Sequence, residues 1–246
     1  MDGRRWLQAI EEHCEDIASL AAGNLGAAVE HCPGWDVAAL LEHLVDVHWF
    51  WSTIVEQCLT SPPEESSRPA APERDQLVEA FRGGAAHLVE VLAAVPFSAH
   101  VWTWAPARQD VGFVARHQVQ EAAVHHFDAA HARGRRLVID EEIAADAVEE
   151  FLTFSLSTAA DPAEPARPPL RGQLVLASAG AGPAWTIGDD AVPGTLRVSP
   201  GAAADVPTLT ATASDLLLWL YGRVELDDRH IPPDLVTRFR ALTFTD

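Results

Sequence analysis

The strongest constraint on how this chain folds is the proline-rich segment DPAEPARPP at 161–169, which cannot continue a helix. The sequence before it has long stretches with apolar residues three and four positions apart, as in amphipathic helices. The sequence after it has short runs in which apolar and polar residues alternate, separated by Gly, Pro and Asp. We therefore predict a mainly α protein, with a helical domain at 1–160, a linker at 161–169 and a smaller α+β domain at 170–246.

The periodicity also predicts individual elements. In the first domain we expect helices at about 4–22, 37–59, 73–94, 110–132 and 140–158. In the second domain, short strands precede two helices at about 213–222 and 233–242. Asp36 is a good N-cap for the helix that begins at 37.

Composition excludes several classes of function. The formal net charge is −19 at pH 7, so the surface repels phosphate backbones and nucleic-acid binding is disfavoured. All 17 basic residues are arginine, which rules out a lysine nucleophile or Schiff base in this chain. The longest apolar runs are too short to span a membrane, and the acidic N-terminal stretch has no apolar signal core. We expect a cytoplasmic protein without membrane or nucleic-acid partners.

The cysteines agree with a reducing compartment. The chain has three, Cys14, Cys32 and Cys58, and they form no CxxC pair. We predict that Cys14 and Cys58 are buried as small apolar residues. Cys32 lies beside a proline in a turn and is predicted to be structural.

The stretch QEAAVHHFD at 120–128 carries two carboxylates and two imidazoles on a predicted helix. Because each helical residue turns about 100°, Glu121, His125 and Asp128 share one face. Three interpretations are open: a solvated stripe with i,i+4 pairs, a buried hydrogen-bond network, or a metal site. An ExxxH spacing alone does not choose between them.

Another histidine favours the metal site. His43 lies on the apolar face of the second helix, where an imidazole must hydrogen-bond or ligate. An antiparallel bundle would bring it to Glu121 and His125, giving a His₂Glu set like that of catalytic zinc sites with an open fourth position. His48 and His117 are reserve candidates, whereas His126 points away and is predicted to be a surface or lateral residue.

Four stretches of the sequence together resemble one family, that of mycothiol-dependent maleylpyruvate isomerases. They are CPGWDVAALLEHL at 32–44, RHQVQEAAVHHFDAA at 116–130, SDLLLWLYGR at 214–223 and PPDLVTRFRALTFTD at 232–246. The resemblance covers essentially the whole chain. It implies a DinB-like four-helix bundle in the N-terminal part and an actinobacterial cytoplasm.

The resemblance also implies a site. In the family a divalent metal, usually zinc, is held by residues that correspond to His43, Glu121 and His125, and mycothiol is the thiol cosubstrate. The positions of Asp128 and Arg223 are associated with activity. This chain departs from the family's pattern at His126, where the usual residue is not histidine.

We therefore expect a zinc-dependent, mycothiol-using isomerase or thiol S-transferase that acts on a small electrophile bearing a carboxylate. Asp128 would take a proton or orient His125, or only pair locally. Arg223 would bind a carboxylate, or only complement the end of its helix. The alternatives are a non-catalytic metal-containing binding or regulatory protein, and a DinB-like metalloenzyme that uses another thiol or water. We expect a monomer or a small homo-oligomer.

Overall fold

The computed structural model of the chain describes residues 1–156 and 167–243. They fall into two compact units, Met1–Ile139 and Asp140–Asp246. This division precedes the fifth helix, whereas the proline-rich segment follows it. Most of the predicted linker, 161–166, lies outside the described residues, so the domain boundaries drawn from it stay a prediction.

The first unit contains four long helices, as the periodicity predicted. They are α1 (Gly3–Ala21), α2 (Val37–Glu56), α3 (Leu77–Ala94) and α4 (Val111–His131). Helix α1 packs on α3 and α4, and α2 packs on the same two helices. A single 3-10 turn at Glu65–Ser67 was not predicted. The four helices enclose an apolar core into which polar groups of α2 and α4 project.

Aspartate caps fix where the two site-bearing helices begin. Asp36 accepts a hydrogen bond from the backbone N–H of Ala39 at 3.0 Å, which confirms its predicted role at the start of α2. Asp110 accepts one from the N–H of Phe113 at 2.8 Å at the start of α4. The starting residue sets the phase of every later side chain on each helix.

Helix α4 is buried around almost its whole circumference, and this corrects one prediction. His126 was predicted to be at the surface or lateral, but it is only 6% exposed. The reason is that α1 covers this side of α4, and Nδ1 of His13 lies 2.9 Å from Nδ1 of His126. The surface interpretation of His126 is therefore wrong.

The three cysteines are free, and only one of the two that were predicted to be buried is buried. Cys14 is buried as predicted, and its burial raises the pKa of the thiol to about 12. Cys58 is exposed, so its predicted burial is wrong. It follows the end of α2 with a φ of 50°, where the chain leaves the helix into a surface loop.

The second unit is an α+β arrangement, which confirms the predicted class. Its elements are α5 (Glu141–Phe154), β1 (Gln173–Ser178), β2 (Ala184–Asp189), β3 (Leu196–Pro200), β4 (Thr208–Ala211), α6 (Ala213–Leu220) and α7 (Pro233–Arg240). The sheet has the order β3-β2-β1-β4. Strand β1 is antiparallel to β2 and parallel to β4. Helix α6 packs on α5 and on strands β1 and β4.

Among the described residues, no helix combines the length and the apolar character needed to cross a membrane.

Candidate metal centre

The loop at 26–36, between α1 and α2, forms one wall of the site. Its turn closes on itself, because the N–H of Val29 donates to the carbonyl of Trp35 at 3.0 Å and the N–H of Trp35 donates to that of Cys32 at 2.9 Å. Gly34 has a φ of 88°, a conformation that other residues rarely adopt. This closed turn fixes the Cys32 and Trp35 side chains beside α4.

Three donor side chains from α2 and α4 converge at one point. Oε1 of Glu121 lies 2.8 Å from Nε2 of His43 and 3.4 Å from Nε2 of His125. The donor atoms of the three residues all lie within 4.8 Å of one another. The residues predicted as metal ligands are thus brought together, with two imidazole nitrogens and one carboxylate oxygen facing each other.

Asp128 lies directly behind this group. Its Oδ2 accepts a hydrogen bond from Nδ1 of His125 at 2.9 Å, and its side chain is 0% exposed. Because a carboxylate only accepts, Nδ1 of His125 carries a proton, and Nε2 is the nitrogen that faces Glu121. Metal-binding histidines typically have this partner on the second nitrogen.

Without a metal, the opposite charges of His125 and its two carboxylate neighbours, Glu121 and Asp128, stabilise each other. Burial by itself would raise the pKa of Glu121, but the charge and hydrogen bond of His125 and the hydrogen bond of His43 hold it well below the usual range. Burial would lower the pKa of His125, but Glu121 and Asp128 outweigh it and raise the pKa to about 9. In the metal-free protein at neutral pH, His125 is therefore a cation held by two carboxylates.

The site is open on one side. The side chain of His43 is 30% exposed, against 13% for Glu121 and 9% for His125. Trp35 covers part of this edge, with its ring centroid 5.1 Å from that of His43 and 6.5 Å from that of His125. A small molecule can therefore approach the donors from the His43 side, along an aromatic wall.

Cys32 is the site residue whose position the sequence did not indicate. It was predicted to be structural, yet its Sγ lies 3.8 Å from Oδ2 of Asp128, at a separation of 96 positions. Cys32, His125 and Asp128 form a second convergent group that shares His125 with the first. Trp35 was likewise not singled out. The only sequence signal for either residue was membership in the CPGWD motif.

The reserve histidines do not join these groups. His48 is buried in the core, stacked on Phe81 and 3.9 Å from Sγ of Cys14. His117 lies among aromatic rings, including Trp51 and Trp104. Neither belongs to a convergent donor group in the part of the chain that the structure describes.

Arg223 belongs to the second unit, just after α6. Its Nη1 donates to the carbonyl of Tyr221 at 2.9 Å, and its guanidinium lies 5.7 Å from the centroid of the Tyr221 ring. Its predicted role toward a substrate carboxylate stays a prediction.

Two protein-family models match the chain. Residues 6–130 match the family model of the mycothiol maleylpyruvate isomerase N-terminal domain, and residues 142–238 match that of the MDMPI C-terminal domain. A crystal structure of the mycothiol-dependent maleylpyruvate isomerase aligns with a TM-score of 0.61 at 14% identity, covering 91% of this chain and 90% of the other. A histidine-to-alanine variant of that enzyme aligns with a TM-score of 0.60 at 13% identity and with the same coverage. No curated protein sequence matches the chain.

Proposed function

The chain belongs to the mycothiol maleylpyruvate isomerase family, and from this premise we propose that it is a metal-dependent enzyme that uses mycothiol to act on a small electrophilic carboxylate. The observation that carries the proposal is the convergence of His43, Glu121 and His125. The carboxylate of Asp128 behind His125 supports it, because a plain surface ion pair needs no such partner.

The residues fit a divalent metal, zinc above all. Two imidazoles and one carboxylate are a donor set of catalytic zinc sites, in which the fourth position stays open. The opening on the His43 side agrees with that vacant position. When bound there, the metal would supply Lewis acidity and lower the pKa of a thiol that coordinates it.

The chain's own residues would prepare the site. Asp128 keeps the proton of His125 on Nδ1, so that Nε2 is available as a ligand. Because its side chain is 0% exposed, we assign Asp128 a positioning role, since it cannot exchange a proton directly with a substrate in the open part of the site. Trp35 supplies an apolar surface that shields the reacting groups from water.

The thiol chemistry accounts for an isomerase. A thiolate adds to a cis double bond conjugated with a carbonyl, which forms a carbon–sulfur bond and turns the double bond into a single bond. After rotation about that bond, the thiolate leaves and the double bond re-forms in the trans arrangement. The thiol is regenerated, and no oxidant or reductant is needed. With an electrophile that retains the thiol, the same first step is an S-transfer.

The test is turnover of maleylpyruvate with mycothiol, glutathione, bacillithiol and no thiol, in the zinc-loaded protein. We expect turnover with mycothiol and its loss in His43→Ala. Equal turnover with every thiol or without thiol would point to another nucleophile. A zinc-loaded protein without turnover or mycothiol binding would point to a binding or regulatory protein.

A further inference from the structure

Outside the centre described above, one more group of donors converges on the described surface of the first unit. Glu30 and His31 belong to the loop at 26–36, and His131 is the last residue of α4. The donor atoms of these three residues lie within 4.8 Å of one another. We propose that Glu30, His31 and His131 form a second metal site, for a borderline divalent cation such as Zn²⁺.

The geometry of the donors suits such an ion. Nε2 of His131 lies 2.7 Å from Oε2 of Glu30, and the rings of His31 and His131 have centroids 5.1 Å apart. Tetrahedral zinc with ligand distances of about 2.0–2.2 Å separates its ligand atoms by roughly 3.3–3.6 Å. Small rotations of exposed side chains reach that spacing, since Glu30 is 71% and His131 40% exposed.

A second observation concerns His31. Its Nε2 is buried, and it has no hydrogen-bond partner among the described residues. An imidazole nitrogen in that state loses its solvation without compensation. A metal ion bound by this nitrogen would offset that cost. An ordinary surface pair of Glu30 and His131 would leave this nitrogen of His31 without a partner.

The surroundings hold the donors in place. The ring of Phe127 lies 5.7 Å from that of His131 in a stacked arrangement, and 6.0 Å from that of His31. The loop is closed by its own backbone hydrogen bonds, as described above for Val29 and Trp35. Imidazole and carboxylate donors favour zinc, copper and nickel over magnesium and calcium, and the net charge of −19 draws cations to the surface.

The site would join the loop to the end of α4. The same loop carries Cys32 and Trp35, which line the centre formed by His43, Glu121 and His125. An ion bound by Glu30, His31 and His131 therefore fixes one wall of that centre without touching its ligands. The proposal does not depend on the enzymatic function, because it concerns metal binding alone.

The test is calorimetric titration of the metal-stripped protein with Zn²⁺, comparing wild type with His131→Ala and with Glu30→Gln. We expect both variants to bind one equivalent fewer than wild type. Both side chains are exposed, and circular dichroism in a chelator checks that each variant folds. The matched control is His87→Ala, because His87 and Glu56 form an exposed pair at 4.0 Å that belongs to no group of three donors in the described residues.

The number of Zn²⁺ equivalents bound distinguishes this proposal from the proposed metal centre at His43. If the centre at His43 binds no metal, wild type will bind one equivalent of Zn²⁺ fewer than the two sites together would. The difference between wild type and His131→Ala will still remain. His131→Ala and Glu30→Gln chains that bind as much Zn²⁺ as wild type would overturn the surface site. The same holds if His87→Ala loses the same equivalent, since the loss would then not be specific to this cluster.

Discussion

Oε1 of Glu121 lies 2.8 Å from Nε2 of His43, although the residues are 78 positions apart and on different helices. In the metal-free protein the contact is a hydrogen bond that holds α2 to α4. In the metal-bound state that we propose, the same two atoms would be ligands. The donors already converge without the metal, and binding would exchange hydrogen bonds for coordination.

Replacing the carboxylate behind His125 tests the positioning role. We expect Asp128→Asn to weaken Zn²⁺ binding by about 10–100-fold, because the amide holds His125 less strongly in the required tautomer. Competition with a chromophoric chelator measures the affinity. The control is Asp46→Asn, an exposed carboxylate of α2 that pairs with Arg68. Unchanged affinity in Asp128→Asn would mean that Asp128 pairs only locally.

Metal binding should depend on pH through His125. Its pKa of about 9 in the metal-free protein means that binding at pH 7 must expel its proton. Apparent Zn²⁺ affinity should therefore rise by about tenfold per pH unit between pH 7 and 9 and level off above. Calorimetry in buffers of different ionisation enthalpy counts the protons released. Binding without proton release would contradict a protonated His125.

His48 should make the fold sensitive to acid. Burial lowers its pKa to about 4 from the usual 6.5. Between these values the unfolded chain binds a proton that the folded chain excludes, so stability is full above about pH 6.5 and is lost as the pH falls toward 4. The loss at pH 5 is about 2 kcal/mol.

Urea unfolding at pH 7 and pH 5 measures this effect. We expect His48→Gln to lose about 2 kcal/mol less than wild type over that interval. The exposed His87→Gln should behave like wild type. An equal loss in wild type and His48→Gln would show that His48 is protonated without penalty in the folded protein.

Arg223 is predicted to bind a substrate carboxylate. We expect Arg223→Gln to raise KM by about 10–100-fold, the cost of losing a hydrogen bond to a charged group. The control is Arg229→Gln, an exposed arginine that pairs with Asp227 at 2.7 Å. If the two variants share the wild-type KM, Arg223 only supports the end of its helix.

Much of the first unit could be predicted from the sequence because it depends on local chemistry. Helical periodicity placed Glu121, His125 and Asp128 on one face, and the cap at Asp36 set the start of α2. His43 stood out as an imidazole among apolar residues. Each of these features follows from the periodicity and the capping of a single helix.

The remaining features depend on how distant segments meet. Cys32 reaches Asp128 across 96 positions because the loop at 26–36 closes on itself, which the positive φ of Gly34 permits. His126 is buried because α1 covers a second side of α4. The apolar pattern of one helix does not predict how many other helices pack against it. Both facts arise from tertiary packing.

The most direct test of the central claim is the metal content of His43→Ala, measured by plasma mass spectrometry after purification without chelators. The measurement is made in the His131→Ala background, so that only the centre at His43 is counted. We predict one equivalent of divalent metal with His43 present, and also in His48→Gln, which alters a buried histidine of the same helix. We predict none in His43→Ala. A chain that holds no metal with His43 present, or the same amount without it, would contradict the account.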